Sequence, residues 1–172
     1  MAGDKYGTIN NHILTLNADS LTAVDSTLIP FGKNVPVEGT PFDFRTPKAI
    51  GQDLPMETED EQLINGKGYD HNFVLNKTAP GEMTLAATVV EPESGRKMEI
   101  FTKEPAIQFY GGNFMDGADV GKHGKSFDYR ESFALETQHI PDSPNQPQFP
   151  SVILNPGEKY LTSSVYKFSV AE

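Results

Sequence analysis

The sequence predicts an all-β fold, on two observations. Fifteen glycines and thirteen prolines punctuate 172 residues so often that no segment supports a long helix. The apolar runs left between them are short and rich in β-branched and aromatic residues, the composition of strands.

Taken in order, His12 to Asn17 (HILTLN) alternates apolar with polar residues and reads as the first strand. Further strands are expected at Phe73 to Asn76, Met83 to Val90, Lys97 to Thr102, Ala106 to Tyr110, Ser132 to Leu135 and Leu161 to Val170. EPESGR (Glu91 to Arg96), with Gly95 near its end, is expected to be the turn of a hairpin. Pro36 to Gly66 mixes prolines with the acidic run Glu57 to Glu61 and holds no sustained period. That stretch reads as a long surface excursion with one helical turn near Glu59 to Leu63. No internal repeat and no linker divides the chain, so a single domain over residues 1–172 is expected.

Composition narrows the function classes. A net charge of -10 repels phosphate backbones, and no Lys/Arg cluster offsets it, so nucleic acid is a poor partner. No apolar run approaches the ~18 residues of a membrane span. The absence of cysteine excludes disulfides, thiol catalysis and Cys-type zinc sites, and fits a cytoplasmic setting without excluding a secreted or periplasmic parent. MAGDKYGTINNH has neither the basic nor the apolar region of a signal peptide.

The richest stretch is FALETQHIPDSPNQPQFP, Phe133 to Pro150. It sets Glu136 where a mostly buried strand opens into a loop, a place that can raise a carboxylate's pKa and make it a proton acceptor. Pro141, Pro144, Pro147 and Pro150 restrict the loop and lower the entropy of holding an irregular shape.

These residues resemble the aldose 1-epimerases, or galactose mutarotases, whose base glutamate lies in an LETQ segment followed by PDxxNQPxFP. HILTLNADSLTAVDSTLIPFGK (His12 to Lys33), FDFR (Phe42 to Arg45), GYDHNF (Gly68 to Phe73), IQFYGGNF (Ile107 to Phe114) and YKFSV (Tyr166 to Val170) match in the same order. The resemblance implies an antiparallel β-sandwich, part of a mutarotase-like supersandwich, and the interconversion of α and β anomers of aldohexoses such as galactose and glucose, with no cofactor. It also implies Glu136 as the catalytic base and Asp70 and Gln108 as substrate-binding residues. The family's NHxYFNL stretch, which carries its acid histidine, has no counterpart here. The chain therefore resembles the C-terminal half of such an enzyme, expected to expose an edge or apolar face, to self-associate or to pair with an N-terminal half.

Each candidate has a plainer reading. Glu136 alone would be a solvated strand-end residue, and Asp70 a turn or cap residue. His71 and His139 tempt as a replacement acid, since a free imidazole titrates near neutrality, but they fit structural roles better. His12 and His123 carry no special signal. Asn113, Asp116 and Asp119 lie among glycines, yet their spacing departs from the EF-hand pattern and reads as a tight turn loop. Glu57 to Glu61 reads as a solvated acidic face, and Asn76-Lys77-Thr78 is a sequon relevant only to a secreted chain. Phe109 is expected in the core, with Tyr110 and Phe114 open to sugar stacking. Against the enzyme stand two other readings: a non-catalytic carbohydrate-binding module, and a fragment that needs its other half.

Overall fold

The computed structural model describes residue 1 and residues 7–171. Two antiparallel five-stranded sheets pack against each other. One holds, in spatial order, β10 (Ser164–Val170), β7 (Arg96–Thr102), β6 (Thr84–Val90), β1 (Ile13–Leu16) and β4 (Lys48–Ala49). The other, the site-bearing sheet, runs β3 (Pro30–Pro36), β2 (Ala18–Val24), β5 (Asp70–Leu75), β8 (Ala106–Tyr110) and β9 (Ala134–Gln138).

Alternation along the strands builds the interior. Leu14 and Leu16 of β1, Val89 of β6 and Ile100 of β7 meet Leu21 of β2, Phe73 of β5, Ile107 and Phe109 of β8 and Leu135 of β9 in one buried cluster. Burying each such side chain contributes roughly 1.5–3 kcal/mol. Phe109 is fully buried, as expected from its strand position. Between β6 and β7 the expected hairpin forms, with Glu91 accepting from the N–H groups of Glu93 and Ser94 at 3.0 and 2.7 Å and Gly95 at φ 69°.

Several expectations are corrected. The stretch from Pro36 to Gly66 is no surface excursion: Val37, Phe42, Phe44, Ile50, Leu54 and Leu63 are all buried, and Phe42 and Phe44 meet Tyr69 edge-on at 5.4 and 5.2 Å. It delivers its apolar groups from successive turns, and turns impose no period, so the sequence shows none. Its helix, α1 (Glu61–Gly66), starts two residues after the expected position, capped by Asp60, which accepts from Gln62 and Leu63 N–H. The acidic run is thus not merely solvated, and Glu57 pairs with the buried Arg130 at 3.1 Å.

Strands β2 and β3 were not expected: β2 mixes small and polar residues with its apolar ones, and β3 begins and ends on proline. Asp25 makes the turn, accepting from Thr27 and Ile29 N–H at 2.8 and 3.1 Å, while both prolines of β3 lie at its ends on a sheet edge, where no ladder donor is needed. The strand expected at Phe73 begins at Asp70, and the one expected at Ser132 to Leu135 runs from Ala134 to Gln138. Polar residues that a periodicity rule would assign to loops are here the outer side of half-buried strands.

Among the described residues, edge strand β10 pairs only with β7, and both its faces are open: Val165 and Tyr166 are about half exposed, Phe168 and Val170 more so. The preceding segment also leaves Ile153, Leu154 and Leu161 exposed.

Candidate active site

The site-bearing sheet has a second face, pointing away from the core. Because Leu21, Phe73, Ile107 and Leu135 point inward, their neighbours Thr22, Asn72, Gln108 and Glu136 point outward. Register aligns them: Thr22 pairs with Asn34, Asn72 with Gln108, and Gln108 with Glu136. One polar rung therefore crosses all five strands. Asp70, two residues before Asn72, and Gln138, two after Glu136, lie on the same face.

All three expected site residues meet on this face. Gln108 Nε2 donates to Asp70 Oδ1 at 2.8 Å, and Glu136 sits beside Gln108 across the β8–β9 ladder. Asp70 is half-buried, and burial pushes its carboxyl above the usual value while the Gln108 hydrogen bond pulls the other way. Asp70 opens β5 and so is neither a turn nor a cap. The setting of Glu136 differs from expectation. Its side chain is exposed and stands in the middle of β9, with Thr137 and Gln138 still paired beyond it. The strand runs on because β8 offers partners as far as Ala106.

The proline-braced loop folds back over this face. Phe149 and Ile140 pack with Ala106 and Val74 in a small second cluster, and Gln148 Nε2 donates to the Gly32 carbonyl. Asp142, at φ 63°, accepts from Asn145 and Gln146 side chains at 2.5 and 2.7 Å, which fixes the bend. Pro141, Leu28, Asp70, Asn72 and Gln108 line a hollow of about 60 Å³. Ordinary ligand pockets span about 300–1,000 Å³, so the hollow alone is too small to enclose a sugar. A larger cavity, about 560 Å³, lies elsewhere, between Val74, Glu104, His139 and Tyr160, and none of Asp70, Gln108 and Glu136 lines it.

The histidines take structural positions. His71 is fully buried with its ring edge-on to Phe42 at 4.6 Å, and burial lowers its pKa to about 4. His139 Nδ1 lies 2.8 Å from Glu104 Oε2, and Tyr160 donates to Oε1 of the same carboxylate at 2.7 Å. His12 is buried against Phe133. The His123 side chain lies outside the described ones. Tyr110 pairs with Asp70 in register and stacks on the exposed Phe114 at 6.3 Å, so an aromatic pair flanks the polar rung. In the glycine-rich loop Asn113 donates to the carbonyls of Gly66 and Tyr69 at 3.2 and 2.7 Å, a brace for the turn before β5.

Sequence reasoning missed Thr22, Asn34, Asn72 and Gln138. A usable signal existed for two of them, since Asn72 follows Asp70 and Gln138 follows Glu136 at the two-residue spacing that puts side chains on one strand face.

Residues 1–167 match the family model for aldose 1-epimerase, and the chain belongs to that family. It is 44% identical over 171 residues to the galactose mutarotase of Homo sapiens, covering 99% of this chain and 47% of that one. Against the aldose 1-epimerase of Escherichia coli (strain K12) identity is 36%, over 93% of this chain and 45% of the other. A solved aldose epimerase homologue from C. elegans superimposes with a TM-score of 0.84 at 30% identity, over 98% of this chain and 49% of that chain. The chain thus spans about half the length of the curated relatives it matches. Among the described residues, no helix is long and apolar enough to cross a membrane.

Proposed function

We propose that this chain is the C-terminal half of an aldose 1-epimerase that interconverts the α and β anomers of aldohexoses such as galactose and glucose. The observation that carries the reading is the register of one sheet face: Asp70 and Gln108 joined at 2.8 Å, with Glu136 beside Gln108. Glu136 takes the proton from the anomeric hydroxyl, an acid protonates the ring oxygen, and the ring opens. Rotation about the C1–C2 bond and reclosure give the other anomer. Asp70 accepts from sugar hydroxyls and Gln108 both donates and accepts, which orients the pyranose. No cofactor enters these steps. The side chains of His12, His71 and His139 are committed elsewhere, which supports an acid supplied by the N-terminal half. The exposed apolar residues of β10 support docking of that half on the same chain. The cysteine-free sequence fits a cytoplasmic setting.

The test is a polarimetric assay of α-galactose with this chain alone and mixed with the N-terminal half of an aldose 1-epimerase. Little activity alone and restored activity in the mixture are expected, because a base without its acid assists only half of ring opening. Full activity from a verified monomer overturns the split. Galactose binding by a well-formed complex that shows no turnover means a sugar-binding module instead.

A further inference from the structure

The polar rung is more than a row of neighbours, because its hydrogen bonds form one ordered set that runs out in two directions from the Gln138 amide. Gln108 Nε2 donates to Asp70, and Gln138 Nε2 donates to Gln108 Oε1 at 3.4 Å and to Asn72 Oδ1 at 3.0 Å. Asn72 Nδ2 donates to Thr22 Oγ1 at 3.0 Å, and the Thr22 hydroxyl donates to Asn34 Oδ1 at 2.9 Å. An ionised carboxylate only accepts, so Asp70 forces Gln108 to turn its NH₂ inward and its carbonyl toward Gln138. Gln138 must then donate, Asn72 must accept from it, and the remaining polarity follows as far as Asn34. Asn72 and Thr22 are almost fully buried, so a reversed amide would leave a buried polar group unpaired.

We propose that Gln138 and Asn72 are positioning residues, holding the Gln108 amide in the one orientation that offers a sugar a free N–H beside the free oxygen of Asp70. One donor and one acceptor fixed side by side suit the adjacent hydroxyls of a pyranose. Without Gln138 the Gln108 carbonyl loses its partner, and the amide is held only by its bond to Asp70, about which it can swing and carry its free N–H out of place. The inference rests on the assignment of Asp70 and Gln108 to sugar binding, but the order within the relay does not.

The test uses the whole chain, isotopically labelled, with Gln138→Met, which keeps the bulk and removes the donor. Carbon NMR follows the titration of the Asp70 carboxyl, with Glu136, which faces the same rung from β9, recorded in the same spectra. The backbone N–H of Asp70 meets His71 Nδ1 at 3.2 Å, so the His71 ring is followed too. Proton–nitrogen spectra follow the Gln108 side-chain amide, and galactose is titrated into the chain mixed with the N-terminal half of an aldose 1-epimerase. Upward movement of the Asp70 titration, altered Gln108 amide signals and a Kd for galactose raised about 3- to 10-fold are expected. If Gln138→Met lowers the melting temperature but leaves the Asp70 titration and Gln108 signals in place, Gln138 is only structural and the proposal falls. Thr22→Val breaks the far end of the relay while preserving shape. It should move the same signals less, and it decides the question if Gln138→Met does not fold. Wild-type chain that shows the relay signals but, in a well-formed complex with the N-terminal half, binds no galactose would sink the sugar assignment and leave the relay standing.

Discussion

The outer face of the site-bearing sheet and the exposed edge of the opposite sheet carry opposite imbalances. On the first, Asp70, Asn72, Gln108 and Gln138 are polar groups partly or wholly withdrawn from water, and each has a partner within the chain. On the second, Val165, Tyr166, Phe168 and Val170 are apolar groups left in water. Protein interiors tolerate buried polar groups only when they are hydrogen-bonded, and surfaces carry large apolar patches mainly where something docks. The four side chains of the polar face are therefore each tied to a neighbour, though the face is open as a pocket. The β10 edge, by contrast, is incomplete as packing.

That contrast can be broken most forcefully at Glu136. In the assembled enzyme, Glu136→Gln keeps the shape and cannot take a proton, so kcat should fall about 10²- to 10⁴-fold with little change in sugar affinity. Polarimetry on the mutant decides it, and a mutant that keeps more than about half of wild-type kcat removes Glu136 from the role of base.

A second effect separates the core side of β5 from its outer side. His71 is buried with a pKa of about 4, below its ordinary 6.5, so the unfolded chain binds more protons between those values. The contribution is fully present above pH 6.5 and is lost as pH falls through about 4, to the extent of about 3 kcal/mol. His71→Phe should flatten that part of the stability curve in urea titrations at several pH values. An unchanged acid limb would show that His71 is not the group responsible.

Asp70→Asn sharpens the outer side. It should raise KM and lower kcat/KM by roughly 1.5–3 kcal/mol, because an orienting acceptor acts in both the ground and transition states. Equal KM values for mutant and wild type, with galactose and with glucose, would return Asp70 to a purely structural role.

The smallest stability effect belongs to β10. Phe168→Ser should change the unfolding free energy by no more than about 0.5 kcal/mol, since the ring is already in water, yet it should weaken self-association. Light scattering coupled to gel filtration reads the second quantity. A large loss of stability with unchanged mass would place Phe168 in the core instead of at an interface.

Much of the fold was legible in the sequence wherever alternation was regular. HILTLN, the EPESGR hairpin and Ala106 to Tyr110 appear as read, because each of those strands sends apolar residues to one interior. The rule failed where burial is delivered without a period, as in Phe42, Phe44 and Ile50, and where a strand's outer face is polar for a reason, as in β2 and β9. Glu136, Asp70 and Gln108 were named from their motifs, while Asn72, Gln138 and Thr22 were passed over, since amides and hydroxyls announce nothing until a partner is known.

By itself the sequence determined the all-β class, the family and the three polar residues that share the outer face, because composition, turn chemistry and motif are local properties of a chain. Only the tertiary structure decided that Gln108 stands between Asn72 and Glu136, that His71 and His139 point away from them, and that Glu136 is exposed in mid-strand. Those are matters of register and facing. A shift of one residue in β9 would turn Glu136 to the other face, and what prevents it is the pairing of Leu135 with Phe109 in the core, a contact between residues far apart in sequence.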